Sequence, residues 1–227
     1  MSWLLNSSIG RKFIMALSGF ALILFLLFHM SMNLVSIISM DAYEALCGFL
    51  GTNWYAIAGT GGLAVLFIVH IVYASMLTIQ NQKARGGDKY ASSSGTIVEW
   101  SSKNMYVLGA FIGAFLLVHL YDFWFKMQFS ELFHLSGAVA PEQTGELMHE
   151  LFAQPIRIII YLVGVIALWF HLTHGFWSMF QSSGINGRTW LPRLKNVGYV
   201  VAAIICIGFA IVPIFFFAKS ILCTSCM

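Results

Sequence analysis

Charge is what this sequence has least of. Lys, Arg, Asp and Glu make up 9% of its 227 residues, against 59% hydrophobic, whereas a soluble globular domain carries about 25% charged residues. A chain so poor in charge cannot clothe a water-facing surface, and its mean hydropathy of +0.82 points the same way. The formal net charge is only +3, and no basic tract with interleaved aromatics occurs, which sets nucleic acid aside as a partner. Cysteine is scarce too. Cys47, Cys206, Cys223 and Cys226 show no paired zinc spacing, and the terminal Cys223-Thr-Ser-Cys226 lacks the following His of a covalent haem-attachment sequence. A cleavable leader is not expected, because the apolar run from Phe13 is too long and has no small-residue cleavage site.

What is abundant is apolar and aromatic. The 20 Phe, 7 Trp and 8 Tyr suit lipid contact and interfacial belts. Five apolar stretches, at about 13–38, 54–79, 105–125, 155–180 and 197–218, each meet the roughly 20 residues a bilayer core requires. Polar and glycine-rich clusters at 83–94, 137–149 and 182–188 read as loops between them, and 142–152 reads as a short surface helix. The expected fold is therefore all-α, an integral membrane bundle of five transmembrane helices forming one domain over 1–227.

The charges present are unevenly placed. Arg11, Lys12, Lys83, Arg85, Lys89, Lys103, Arg188, Arg193 and Lys195 all fall on one side of a five-span arrangement. The other side takes Asp41, Glu44, Asp122, Glu131, Glu142, Glu146 and Glu150, with only Lys126, Arg157 and Lys219 among the cations. The positive-inside rule then predicts a cytoplasmic N-terminus and a C-terminus outside.

Four histidines stand inside four consecutive apolar segments: His29, His70, His119 and His174. Imidazole in hydrocarbon is costly and marks functional sites. At about 1.5 Å of rise per residue, His29 and His119 lie roughly 22 and 20 Å from the cytoplasmic edge, and His70 and His174 roughly 12 and 9 Å. That makes two pairs at two depths. One histidine alone is as readily explained by a bond to a backbone carbonyl across a helix contact. Two matched pairs favour two irons, each held axially by two imidazoles in protohaem, over a single compact metal cluster. Helix four carries His171 as well, near the same face as His174. His174 is favoured as the ligand because Gly175 beside it would admit a flat macrocycle, with His171 as a supporting or packing residue. Gly19, Gly59, Gly61, Gly62 and Gly113 would provide similar gaps, or simply close helix packing. His134 and His149 fall in segments outside the spans.

The segments Ser18-Gly19 with Phe25-Leu-Leu-Phe-His29-Met30, Phe67-Ile-Val-His70, Leu117-Val-His119 and His171-Leu-Thr-His174-Gly175 resemble the dihaem cytochrome b anchor of succinate:quinone oxidoreductases and fumarate reductases. The type most similar is the single-chain, five-helix anchor of menaquinone-using bacteria, and the resemblance covers essentially the whole chain. It implies an electron-transfer subunit of the bacterial cytoplasmic membrane, with two haem b groups and a quinone, menaquinone by type, as substrate. It implies that His70 and His174 ligate a proximal haem near the cytoplasmic side, and His29 and His119 a distal haem near the outer face. Its partners would be an iron–sulfur subunit and a flavoprotein subunit, docked on the basic rim of Arg11, Lys12, Lys83, Arg85, Arg193 and Lys195; whether such complexes associate further is left open. Lys12, Trp100 and Lys103 would lie toward the haem propionates. The quinone would meet the outer interface near Asn33, Asp41, Tyr43, Glu44, Asn53, Tyr121, Asp122 and Trp124. Of these, Glu44 and Asp122 are the carboxylates suited to exchange the protons of quinone chemistry.

The chain has no flavin-binding glycine motif and no iron–sulfur cysteine set, so chemistry on the dicarboxylate itself is not expected of it. Competing readings are the cytochrome b subunit of a hydrogenase or formate dehydrogenase, which concentrates its histidines differently, and a cofactor-free transporter or proton channel, which calls for charged pairs near the midplane.

Overall fold

Helices account for all the regular structure among the described residues. The computed structural model describes residues 7–51, 53–85, 100–185 and 187–224; Lys89 and Cys226 lie outside them. Helix α1 spans Ser8–Ile38. Ser7 caps it, its Oγ accepting the Gly10 N–H at 2.9 Å. Ser39, in extended backbone, ends α1 and starts the next helix. Its N–H donates to the Val35 carbonyl at 2.9 Å, and its Oγ accepts the Ala42 N–H at 3.2 Å, a cap worth about 1 kcal/mol.

That next helix, α2 (Met40–Phe49), had no counterpart among the spans read from the sequence. Then come α3 (Trp54–Arg85), the single turn α4 (Trp100–Lys103) and α5 (Met105–His119). The last runs directly into a π-helical stretch, Leu120–Phe129, and a final turn, Ser130–Leu132. A 3-10 turn at Pro141–Gln143 leads into α6 (Thr144–Phe152), where the sequence pointed to a surface helix. Pro155 opens α7 (Pro155–Met179), and α8 (Trp190–Thr224) closes the chain.

Five of these, α1, α3, α5 with its continuation, α7 and α8, are long and apolar enough to cross a membrane. Helix α8 packs along α7 and also on α1, while α7 meets α5 and α1. Helix α3 rests chiefly on α1 and only lightly on α5. Its residues Val65 and Ile68 are 61% exposed, the pattern of a helix whose outer face is solvated by lipid. The bundle has two apolar cores. Toward the Ile38 end of α1, Tyr43 of α2 and Met148, Leu151 and Phe152 of α6 close over Tyr161, Val212 and Phe216. Toward the Ser8 end, Ile23, Leu172, Ala202, Ile205 and Cys206 pack together. Close approach is bought with glycine at Gly164, where a Cβ would stand 2.6 Å from the Phe115 ring.

Candidate functional site: two histidine pairs

The crossing helices bring four imidazoles together two by two. His29 of α1 and His119 at the end of α5 have ring centroids 5.8 Å apart, with planes at 81°. His70 of α3 and His171 of α7 have centroids 6.3 Å apart, at 65°. The imidazole that meets His70 is that of His171, three residues before the expected His174. His174 instead stands edge-on to Trp177, centroids 4.8 Å apart, with Lys195 Nζ 4.9 Å over the same indole. The reason is helical phase: two residues three apart differ by about 60° in direction, enough to separate the face toward α3 from the face toward Trp177.

The His29–His119 pair sits in an aromatic cage. Phe25 stacks on His29 at 5.4 Å and 13°, and Phe209 of α8 lies 5.7 Å away. Around His119 stand Phe115, Phe123 and Tyr161, at 6.1, 5.3 and 6.0 Å. Asn33, one turn after His29, donates from Nδ2 to the His29 carbonyl at 2.8 Å, and the Tyr43 hydroxyl donates to its Oδ1 at 3.5 Å. Asn33 is thereby tied to the His29 backbone, beside the ring.

Small and polar groups frame the other pair. The Ser18 hydroxyl donates to the Met15 carbonyl at 3.0 Å, so its oxygen, 3.2 Å from His70 Nδ1, accepts the Nδ1–H. That assignment leaves Nε2 of His70 as the bare nitrogen, the arrangement by which metal-ligating histidines are oriented. A Cβ on Gly19 would lie 3.4 Å from His70 Cε1, and one on Gly109 3.5 Å from His171 Cε1. The two glycines let the imidazoles lie against the backbones of α1 and α5. His171 Nδ1 is buried with no hydrogen-bond partner among the described residues. Ser18 and Gly109 were not read as site residues from the sequence; their signal is spatial.

Do these residues fit haem? An iron held along one axis by two imidazole nitrogens at about 2 Å each sets the ring centres roughly 6 Å apart. Both pairs match. Ring packing alone spans about 4.5–7 Å, so the separation permits ligation without requiring it. The weight falls on the repetition of the pair on four separate helices and on the Ser18 bond that frees one nitrogen. Among the described residues no group of three or more His, Cys, Asp or Glu gathers as a metal site, and a pair is what a macrocycle supplying the other four ligands needs.

The remaining expected residues are dispersed. Asp122 has no exposed surface. Arg157 Nη1 lies 3.0 Å from its Oδ1 and 3.1 Å from its Oδ2, and the Tyr161 hydroxyl donates to Oδ2 at 3.1 Å. The carboxylate is thus enclosed and ion-paired within the bundle, away from the exposed interface. Glu44 is half-buried on α2, its carboxylate against the Gly145 backbone of α6, where a Cβ would stand 2.7 Å from Oε1. Asp41 and Asn53 are exposed, the latter bonded to the Phe49 carbonyl at 2.9 Å. Tyr121 is exposed and stacks on Phe125, and Trp124 Nε1 donates to Gln128 Oε1 at 3.0 Å. Lys12 and Lys103 are exposed at the Ser8 end. Trp100 meets Phe170, at 5.4 Å, and with Ser101, Trp169, Thr173 and Tyr199 lines a cavity of about 230 Å³. Outside the spans, burial raises the Cys47 thiol and the Tyr43 hydroxyl above their ordinary values, and burial, helped by Lys219, lowers His149.

No family model, curated protein or solved structure matches this chain. What the fold defines on its own is a helical protein of multi-pass membrane character.

Proposed function

We propose that this chain is the dihaem cytochrome b anchor of a succinate:quinone oxidoreductase or fumarate reductase, passing electrons between an iron–sulfur subunit and membrane quinone. The observation that carries this reading is the occurrence of two facing imidazole pairs, His29–His119 and His70–His171, on four different spanning helices. In this reading the N-terminus is cytoplasmic, the membrane is the bacterial cytoplasmic membrane, and the cations at the Ser8 end dock the iron–sulfur subunit, which in turn carries the flavoprotein. His70 and His171 would hold the inner haem b, and His29 and His119 the outer one.

Haem held there would supply reversible one-electron transfer. The chain's own residues do the rest. Ser18 keeps the His70 ring in one tautomer and orientation. The cage of Phe25, Phe115, Phe123 and Phe209 excludes water from the outer pair. Quinone chemistry moves protons with electrons, and Glu44, half-buried on α2 at the Ile38 end, would be a carboxylate to exchange them.

The test is a dithionite-reduced minus oxidised spectrum with pyridine haemochrome quantitation on the purified chain in its complex. Two b haems per chain are expected. A folded preparation without haem would contradict the proposal.

A further inference from the structure

Buried charge within a membrane span needs a reason, and the Asp122–Arg157 pair has a telling location. Asp122 is fully buried three residues after His119, where the helix has just widened into its π-helical stretch; such irregular turns are frequent at functional sites. Arg157 lies in the first turn of α7, which contains no acidic residue. The helix dipole disfavours a cation there, so local preference does not account for Arg157. Its partner is on another helix, 35 positions away in sequence. Tyr161, one turn further along α7, joins the pair to the site: its hydroxyl donates to Asp122 Oδ2, and its ring stands 6.0 Å from His119 and 5.2 Å from Phe115.

Resting on the dihaem reading above, we infer that Asp122 and Arg157 are a charge couple that sets the reduction potential of the outer haem, with Tyr161 as the positioning residue between couple and ligand. The physics is Coulombic. In a site of low dielectric, a fixed charge near an iron acts with little screening. The ferric form carries one more positive charge than the ferrous form, so a carboxylate favours the oxidised state and a guanidinium the reduced one. With both present the effects oppose each other, and removing either charge exposes the other. The arrangement therefore has a signature that packing alone does not have, namely opposite signs for its two halves. The inner pair, with Ser18, Gly19 and Gly109 around it and no charged group among those contacts, serves as the internal reference.

The experiment is a redox titration of the complex followed at the b-haem bands, with electron paramagnetic resonance of both low-spin signals. Asp122→Asn is expected to raise the outer haem's potential and leave the inner one in place. Arg157→Gln is expected to lower the outer potential. The double variant is expected to return toward the wild-type value. Arg157 is partly exposed, its side chain at 27%, so its variant remains informative should Asp122→Asn fail to assemble. An outer potential unmoved by Arg157→Gln, or displaced the same way by both single variants, overturns the inference while leaving the dihaem reading intact. Absence of b haem from the wild-type complex would instead remove the reading on which it rests.

Discussion

The two histidine pairs are built from opposite materials. His29 and His119 stand among aromatic rings, beside the Asp122–Arg157 ion pair and beneath a lid of α2 and α6. His70 and His171 stand among small residues; one serine orients His70, whose helix, α3, exposes much of its surface. An aromatic cage holds its imidazoles by area and shape, and a glycine-lined niche holds them by close approach and a single hydrogen bond. The first is expected to fail when crowded. The second is expected to fail when its hydrogen bond is removed. Two sites so differently supported are also expected to titrate as two separate one-electron components.

The largest effect tests whether the pairs are independent. His119→Ala removes one imidazole of the caged pair, and haem content should fall from two to one per chain, with the inner signal retained; the check is haemochrome quantitation with electron paramagnetic resonance. Next in size is Gly164→Ala. The added methyl would stand 2.6 Å from the Phe115 ring that stacks on His119, and overpacking of this kind costs about 1–3 kcal/mol. Thermal unfolding in detergent should shift down, and the outer signal should broaden while the inner one stays sharp. Ser18→Ala is smaller. It removes a hydrogen bond worth about 1 kcal/mol and, by making His70 less basic, should raise the potential of the inner haem alone. A shift of the outer haem instead would reverse the comparison.

The smallest effect belongs to His149 on the α6 lid, whose ring packs edge-on against Phe216 at 4.8 Å. Burial first, then Lys219, lowers its proton affinity in the folded state. The neutral form is thus the one the fold prefers. The stability it contributes is present above the ordinary histidine value of about 6.5 and is lost as pH falls through the lower, folded value. Thermal stability followed from neutral pH down through that window should decline, and His149→Gln should flatten the decline.

Much of the fold is legible in the sequence because charge poverty and long apolar runs are one-dimensional signals. His29, His70 and His119 are visible for the same reason. On α7 the sequence favours His174 through Gly175, whereas the glycines that lie against His70 and His171 are Gly19 and Gly109 on other helices. Depth carried the better hint. His171 lies three residues deeper than His174, roughly 14 Å from the edge where His70 lies roughly 12 Å. Helix α2 was missed although Ser39 capping, Asp41 in the first turn and Tyr43, Leu46 and Cys47 at helical spacing announce it. The Asp122–Arg157 pair could not be read as a pair, since nothing local couples residues on separate helices; only the cation in the first turn of α7 hinted at a distant partner.

The most direct measurement of the central claim compares His171→Ala with His174→Ala in the assembled complex, counting haem b per chain. The account predicts one haem for His171→Ala, with the inner signal gone, and two for His174→Ala. Two haems retained in His171→Ala, with one lost in His174→Ala, would contradict it.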